Sequence, residues 1–91
     1  MDLTQIRQEI DKIDEELVKL FCARMNLSAQ VADYKKAHNL PIFVPAREEA
    51  ILSSVAEQAG PELAEYAQTL YAQLFQLSRE YQCKRNGEVV E

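Results

Sequence analysis

Two basic residues on the first helical pattern of the chain have a spacing that could hold an anion. Arg24 interrupts a row of apolar residues, and Lys35 follows eleven residues later. In an α-helix this spacing is three turns plus about 20°, so both cations share one face about 16 Å apart. Ser28 and Val31 form a floor between them. The alternatives are a register-setting polar residue or buried ion pair at position 24 and a solvated helix-end lysine at position 35.

Two later pairs of polar residues are also predicted to face inward. Arg47 and Glu48 each stand four residues before an apolar position of the second helical pattern. Ser78 and Gln82 are four residues apart on the third pattern, where Ser78 continues an apolar row. Surface charge, a first-turn carboxylate that stabilises the helix dipole, and outward-facing polar groups are the ordinary alternatives. Taken together, inward polar groups on three helices predict one shared anion pocket.

Arg7 cannot reach a site built around Arg24 on the same helix. It lies seventeen residues earlier, which is about 25 Å along the axis and about 100° away in angle. In an antiparallel dimer Arg7 could enter the partner's site, and otherwise it is a surface arginine.

A long first helix is predicted to carry the first two cations. Apolar residues alternate at three and four positions from Leu3 to Tyr34, and Asp2 or Thr4 is placed to cap the start. The pattern describes one helix of about 36 residues, or about 54 Å. A compact chain of this size has a radius of gyration near 12 Å. Part of the apolar seam would then lie in water, so an intertwined homodimer is expected.

Two further helices complete an all-α fold of one long, one short and one medium helix. The second is predicted from Pro45 to Ala59 with Gly60 as its stop, and the third begins with Pro61 in its first turn. Few glycines, prolines and β-branched residues leave no strand pattern. Residues 1–91 therefore form one domain, with the tail 86–91 expected to fray.

Composition bounds the possible partners and location. The chain has 91 residues, is 47% hydrophobic and 27% charged, and carries a net charge of −5, which argues against nucleic acid as a partner. No apolar run is long enough for a membrane span and no signal peptide is evident, so a cytoplasmic location is expected. Cys22 and Cys83 fit neither a metal spacing nor a redox pair and are expected to be reduced thiols.

Three segments resemble the all-helical chorismate mutases in motif order over nearly the whole chain. They read "IRQEIDKIDEELVKLFCARMNLSAQVADYKK", "PIFVPAREE" and "LFQLSREYQ". The family's first helix carries R-x(16)-R-x(10)-K, its second opens with R-E and its third carries S-x-x-x-Q. The matching residues in this chain are Arg7, Arg24, Lys35, Arg47, Glu48, Ser78 and Gln82.

The resemblance implies an intertwined three-helix homodimer with two sites that convert chorismate to prephenate, at the branch toward phenylalanine and tyrosine. It implies that Arg7 reaches the site of the partner subunit. One position departs from the family, which often has Asp where this chain has Val44, before Pro45. The backbone N–H of Val44 could still hold the substrate hydroxyl, but the side-chain cap of the second helix is lost.

The implied reaction is a pericyclic rearrangement without proton transfer or covalent intermediate, and it needs no cofactor or metal. Fixed cations hold the dicarboxylate in a compact chair. Lys35 and Gln82 are the candidate catalytic residues, donating to the ether oxygen as it gains negative charge. Glu48 would accept from the ring hydroxyl, with Ser78 donating nearby.

Two other functions remain open on the sequence. Isochorismate-pyruvate lyases share the fold and a similar cationic site, although the order "AREE" favours the mutase. A non-catalytic dimerisation or regulatory module is the alternative from a different class. That module would be expected to lack Lys35 or Gln82, and both are present.

Overall fold

Three helices make up the fold. The computed structural model describes residues 1–87 and contains α1 (Leu3–Ala37), α2 (Pro45–Ala59) and α3 (Ala64–Asn86). They have 35, 15 and 23 residues, and no strand occurs among the residues described. The predicted all-α class with one long, one short and one medium helix is confirmed.

Helix α1 begins at a reciprocal cap. An Asp2 carboxylate oxygen accepts from the Gln5 N–H at 2.9 Å, and the Gln5 side-chain oxygen accepts from the Asp2 N–H at 2.9 Å. Of the two predicted caps, Asp2 is therefore the one used. The helix continues unbroken to Ala37 with Lys35 and Lys36 in its last turn. Its length of about 52 Å matches the longest dimension of the chain, 53 Å.

The predicted bounds of α2 are confirmed. Pro45 occupies the first turn, where its missing N–H costs no hydrogen bond. Val44 is the N-cap and offers no side-chain hydrogen bond. Gly60 ends the helix with φ of 83°, a backbone conformation that residues other than glycine disfavour.

Helix α3 starts later than predicted, at Ala64 instead of Pro61. The N–H of Leu63 donates to the carbonyl of Gly60 at 3.2 Å, which closes a four-residue turn. Pro61 therefore occupies the second position of a turn, which its fixed φ also suits. The sequence signal for a first-turn proline and for a turn proline is the same.

The predicted fraying of 86–91 is wrong at its first residue. Asn86 is buried and helical, and its side chain donates to the carbonyl of Ala32 at 3.0 Å. Gly87 then ends α3 in the left-handed conformation with φ of 74°. The remaining tail, residues 88–91, lies outside the described residues.

Helix α3 is the central element, because it packs against both α1 and α2. Buried apolar residues lie on all three helices: Ala29, Ala32, Val55 and Phe75. Residues 1–23 are all exposed, and the apolar seam on the first half of α1 is exposed at Leu3, Ile6, Ile10, Ile13 and Leu17. The radius of gyration is 16.1 Å, above the value of about 12 Å for a compact chain.

Within residues 1–87, none of the helices has the length and apolar character needed to cross a membrane.

Candidate active site

A cavity of about 520 Å³ lies between the second half of α1, the loop before α2, the start of α2 and the second half of α3. It contains seven of the eight residues predicted for the site. They are Arg24, Lys35, Val44, Arg47, Glu48, Ser78 and Gln82. Ser28 and several apolar side chains, including Val31 and Phe75, supply the rest of its wall.

Arg24 is held against aromatic rings. Its guanidinium carbon lies 5.9 Å from the ring centroid of Tyr71 and 5.7 Å from that of Phe75, within the range of cation–π attraction. Among residues 1–87 it pairs with no carboxylate. The half-buried guanidinium therefore keeps its charge available to the cavity.

Lys35 joins the end of α1 to the loop that closes the cavity. Its ammonium donates to the carbonyl of Ile42 at 2.8 Å, and the N–H of Leu40 donates to the Lys35 carbonyl at 2.9 Å. One of the three ammonium protons is thus used for positioning, and two remain for a ligand.

A hydrogen-bonded row of polar groups crosses from α1 to α3. The hydroxyl oxygens of Ser28 and Ser78 are 2.8 Å apart, and the Gln82 amide donates to Ser78 at 3.0 Å. All three side chains are buried, Gln82 with 7% of its surface exposed. The Gln82 amide oxygen is buried without a hydrogen-bond partner among residues 1–87, which leaves it capacity for one more bond.

Glu48 pairs with a residue that the sequence reasoning missed. A terminal nitrogen of Arg79 donates to Glu48 Oε1 at 2.6 Å and also contacts Oε2. The Arg79 guanidinium carbon lies 4.8 Å from the ring centroid of Phe43. Position 79 is four residues after Phe75, an inward-facing position of α3, and this spacing was the available signal.

Arg47 and Val44 line the mouth of the cavity, where both are exposed. The N–H of Arg47 donates to the carbonyl of Val44 at 3.1 Å and forms the first turn of α2. Among residues 1–87 the Val44 N–H donates to no other backbone carbonyl. It is therefore free to donate to a ligand.

Arg7 is the predicted site residue that this cavity does not contain. It is exposed on the first half of α1, about 25 Å along the axis from Arg24. A role for Arg7 in substrate binding still requires a second chain.

An ion pair outside the cavity joins α1 to α3. Arg85 donates to both carboxylate oxygens of Asp33, at 2.9 and 3.0 Å. These hydrogen bonds, helped by the positive charge, lower the pKa of Asp33, and the same partner raises the pKa of Arg85. Because both groups are exposed, the pair is a weak contributor to stability.

Comparison with known proteins gives one matching family and several relatives. The family described as "Chorismate mutase type II" matches residues 6–83. The "T-protein" of Haemophilus influenzae is 46% identical over 61 residues, which are 64% of this chain and 16% of that protein. The "Bifunctional chorismate mutase/prephenate dehydratase" of Aquifex aeolicus is 41% identical over 54 residues, 59% of this chain and 15% of that protein.

The "Chorismate mutase" of Methanocaldococcus jannaschii is 38% identical over 53 residues, which cover 58% of this chain and 54% of that protein. The chain therefore spans only part of the length of these relatives. No solved structure matches the chain.

Proposed function

Because the chain belongs to the chorismate mutase type II family, we propose that it is an isomerase that converts chorismate to prephenate. The observation that carries this proposal is the composition of the cavity. Arg24, Lys35 and Arg47 surround a space of about 520 Å³, which suits a small dicarboxylate. The proposal concerns this domain alone, since the chain spans only 16% of the T-protein that it matches.

The first task of the site is positioning. Chorismate must adopt a compact chair in which the carbons that form the new bond approach while the carbon–oxygen bond breaks. Fixed cations on two different helices can hold its two carboxylates in that geometry, and arginine offers a planar pair of donors to each. The cation–π contacts of Arg24 and the loop contact of Lys35 support this role, because they orient both cations before a ligand binds.

The second task is to stabilise the charge that develops on the ether oxygen. Lys35 and Gln82 are the proposed donors, aimed at an oxygen that becomes more negative in the transition state. Gln82 is fixed by Ser78 from its own helix and indirectly by Ser28 from α1. The amide nitrogen carries two N–H groups, so one remains for the ether oxygen after the hydrogen bond to Ser78.

The ring hydroxyl of the substrate is proposed to bind at the other wall of the cavity. Glu48 accepts a hydrogen bond from that hydroxyl there, while the free N–H of Val44 and the hydroxyl of Ser78 supply donors. Glu48 is fixed by Arg79, so its carboxylate needs little further ordering when the substrate binds.

The active form is proposed to be an intertwined homodimer. The exposed seam on the first half of α1, with Ile10 48% and Leu17 53% exposed, supports a second copy that covers it. In that dimer Arg7 of the partner supplies a further cation to each site. Sedimentation equilibrium at micromolar concentration should show a dimer for the wild type and for Asp11→Lys, but dissociation for Ile10→Lys. A folded wild-type monomer would contradict the dimer.

Incubation of the purified chain with chorismate tests the reaction directly. Chorismate absorbance should fall as prephenate forms, and Lys35→Ala should reduce kcat by about 100-fold or more. Lys36→Ala is the matched control, because Lys36 lies outside the cavity and contacts the Asn86 carbonyl at 3.4 Å. Stable chorismate, or release of pyruvate in place of prephenate, would overturn the proposal.

A further inference from the structure

Glu48 lines the cavity, and its carboxylate already forms an ion pair with Arg79. Arg79, which donates to it, comes from α3 and is not part of the cavity wall. Both side chains are partly buried, with 22% of Glu48 and 32% of Arg79 exposed. A pair at this depth is less screened by solvent than the exposed pair between Asp33 and Arg85.

The contact leaves Glu48 able to accept another hydrogen bond. A single nitrogen of Arg79 contacts both carboxylate oxygens, whereas each oxygen can accept two hydrogen bonds. One acceptor position on each oxygen therefore remains, while the contact holds the carboxylate group beside Arg79.

The loop before α2 fixes Arg79 in turn. The ring of Phe43 lies under the guanidinium at 4.8 Å, and its two chain neighbours both line the cavity. Ile42 accepts from Lys35, and Val44 caps α2. Arg79 thus connects the loop, α2 and α3 at the point where the hydroxyl end of a substrate would bind.

We propose that Arg79 is a positioning residue that gives the site its selectivity for the substrate's ring hydroxyl, by fixing the Glu48 carboxylate as the acceptor. This inference rests on the proposed chorismate mutase function. A glutamate that is not held must be ordered by the substrate itself, so the advantage of a substrate that carries the hydroxyl shrinks. Arg24 and Lys35, at the carboxylate-binding end of the cavity, are held by other contacts than Arg79.

The test compares two substrates in two matched variants. Arg79→Gln and Arg85→Gln make the same substitution on the same helix, and Arg85 belongs to the exposed pair outside the cavity. Each is assayed with chorismate and with an analogue in which hydrogen replaces the ring hydroxyl. For Arg79→Gln we expect KM for chorismate to rise about 10-fold to 100-fold, the effect of a hydrogen bond to a charged group.

With the analogue, KM of the same variant should rise by less than about 3-fold, because the analogue has no hydroxyl for Glu48 to accept from. The value of kcat should stay near wild type, since the hydroxyl contact is the same in ground and transition states. Arg85→Gln should behave as wild type with both substrates.

An equal rise in KM with both substrates, or no rise with either, would overturn the role of Arg79 while leaving the mutase function in place. A wild-type chain that does not turn over chorismate would instead overturn the proposed function and this inference with it. Should Arg79→Gln prove unfolded by circular dichroism, Arg79→Lys takes its place, with a smaller rise in KM expected and the same comparison of substrates deciding.

Discussion

The hydroxyl oxygens of Ser28 and Ser78 lie 2.8 Å apart across the interface between α1 and α3. Ser78 also accepts from the Gln82 amide, so a residue of α1 supports a proposed catalytic group of α3. All three side chains are buried, and a polar group that loses its partner there is costly.

Replacing Ser28 by alanine should therefore affect both stability and rate. We expect Ser28→Ala to lower the free energy of unfolding by about 1 kcal/mol, the net value of a typical hydrogen bond. Because Gln82 loses part of its support, kcat should fall by about 5-fold. Urea denaturation and steady-state kinetics measure the two effects. Ser53→Ala, at an exposed position of α2, should change neither, and wild-type values for Ser28→Ala would show that the row does not orient Gln82.

Mixing inactive variants tests whether the site is shared between chains. Arg7→Ala and Lys35→Ala should each be nearly inactive alone, but co-refolded mixtures should recover activity. A heterodimer contains one site in which Lys35 of one chain and Arg7 of the other are both intact. The matched control mixes Arg24→Ala with Lys35→Ala, which should recover nothing because both residues serve the same chain's site. Absence of recovery in the first mixture, with heterodimers demonstrated, would assign Arg7 to the surface.

A cap added to α2 should stabilise the fold. Val44 is the N-cap and makes no side-chain hydrogen bond, whereas an aspartate there can accept from the N–H of Ala46, which donates to no backbone carbonyl among residues 1–87. Val44→Asp should raise the free energy of unfolding by about 1 kcal/mol. Val44→Ala, which has no acceptor, is the control and should give no gain. A lower or unchanged melting temperature for Val44→Asp would mean that the loop geometry does not let the side chain reach.

Gln82→Glu should make activity depend on acid. A carboxylate is only an acceptor when ionised and repels an oxygen that gains negative charge, whereas its protonated form can donate. The ordinary glutamate pKa is about 4.3; burial of this position raises the pKa of the new carboxyl and nearby Lys35 lowers it. Losing one donor costs about 3 to 4 kcal/mol.

The kcat of the Gln82→Glu variant should consequently be about 100-fold or more below that of the wild type near neutral pH, and it should rise again as the pH falls. A profile of kcat against pH measures this. Gln73→Glu places the same change on an exposed position of α3 and should retain the wild-type profile. If Gln82→Glu kept the wild-type rate and a flat profile, Lys35 would be the remaining candidate donor to the ether oxygen.

The sequence predicted the helices well where local signals were unambiguous. The apolar alternation of α1 and the Pro45 and Gly60 signals of α2 depend on the chain alone, and the structure confirms them. The start of α3 was predicted wrongly at Pro61, because the fixed φ of proline suits both a turn and a helix start. The sequence does not reveal that Asn86 belongs to α3, because its hydrogen-bond partner, the Ala32 carbonyl, is 54 positions away in the chain.

The candidate site shows the same division. Helical spacing was enough to predict which polar residues share a face, and the cavity brings six of them together. Arg79 was not predicted as a site residue, because its contacts with Glu48 and Phe43 depend on how α3 packs against α2 and the loop. Pairing across helices follows from tertiary packing, which periodicity within one helix does not contain.

Within residues 1–87, helices α1 and α2 do not pack against each other, and each contacts α3 instead. An anion bound between Arg24 and Lys35 on one side and Arg47 on the other would therefore join two elements that have no direct contact. Binding to the folded chain alone adds a free energy of RT ln(1 + [L]/Kd), about 2.7 kcal/mol at a ligand concentration 100 times Kd. Substrate would thus act as a cross-brace, and amide hydrogen exchange in α2 should slow when the cavity is occupied.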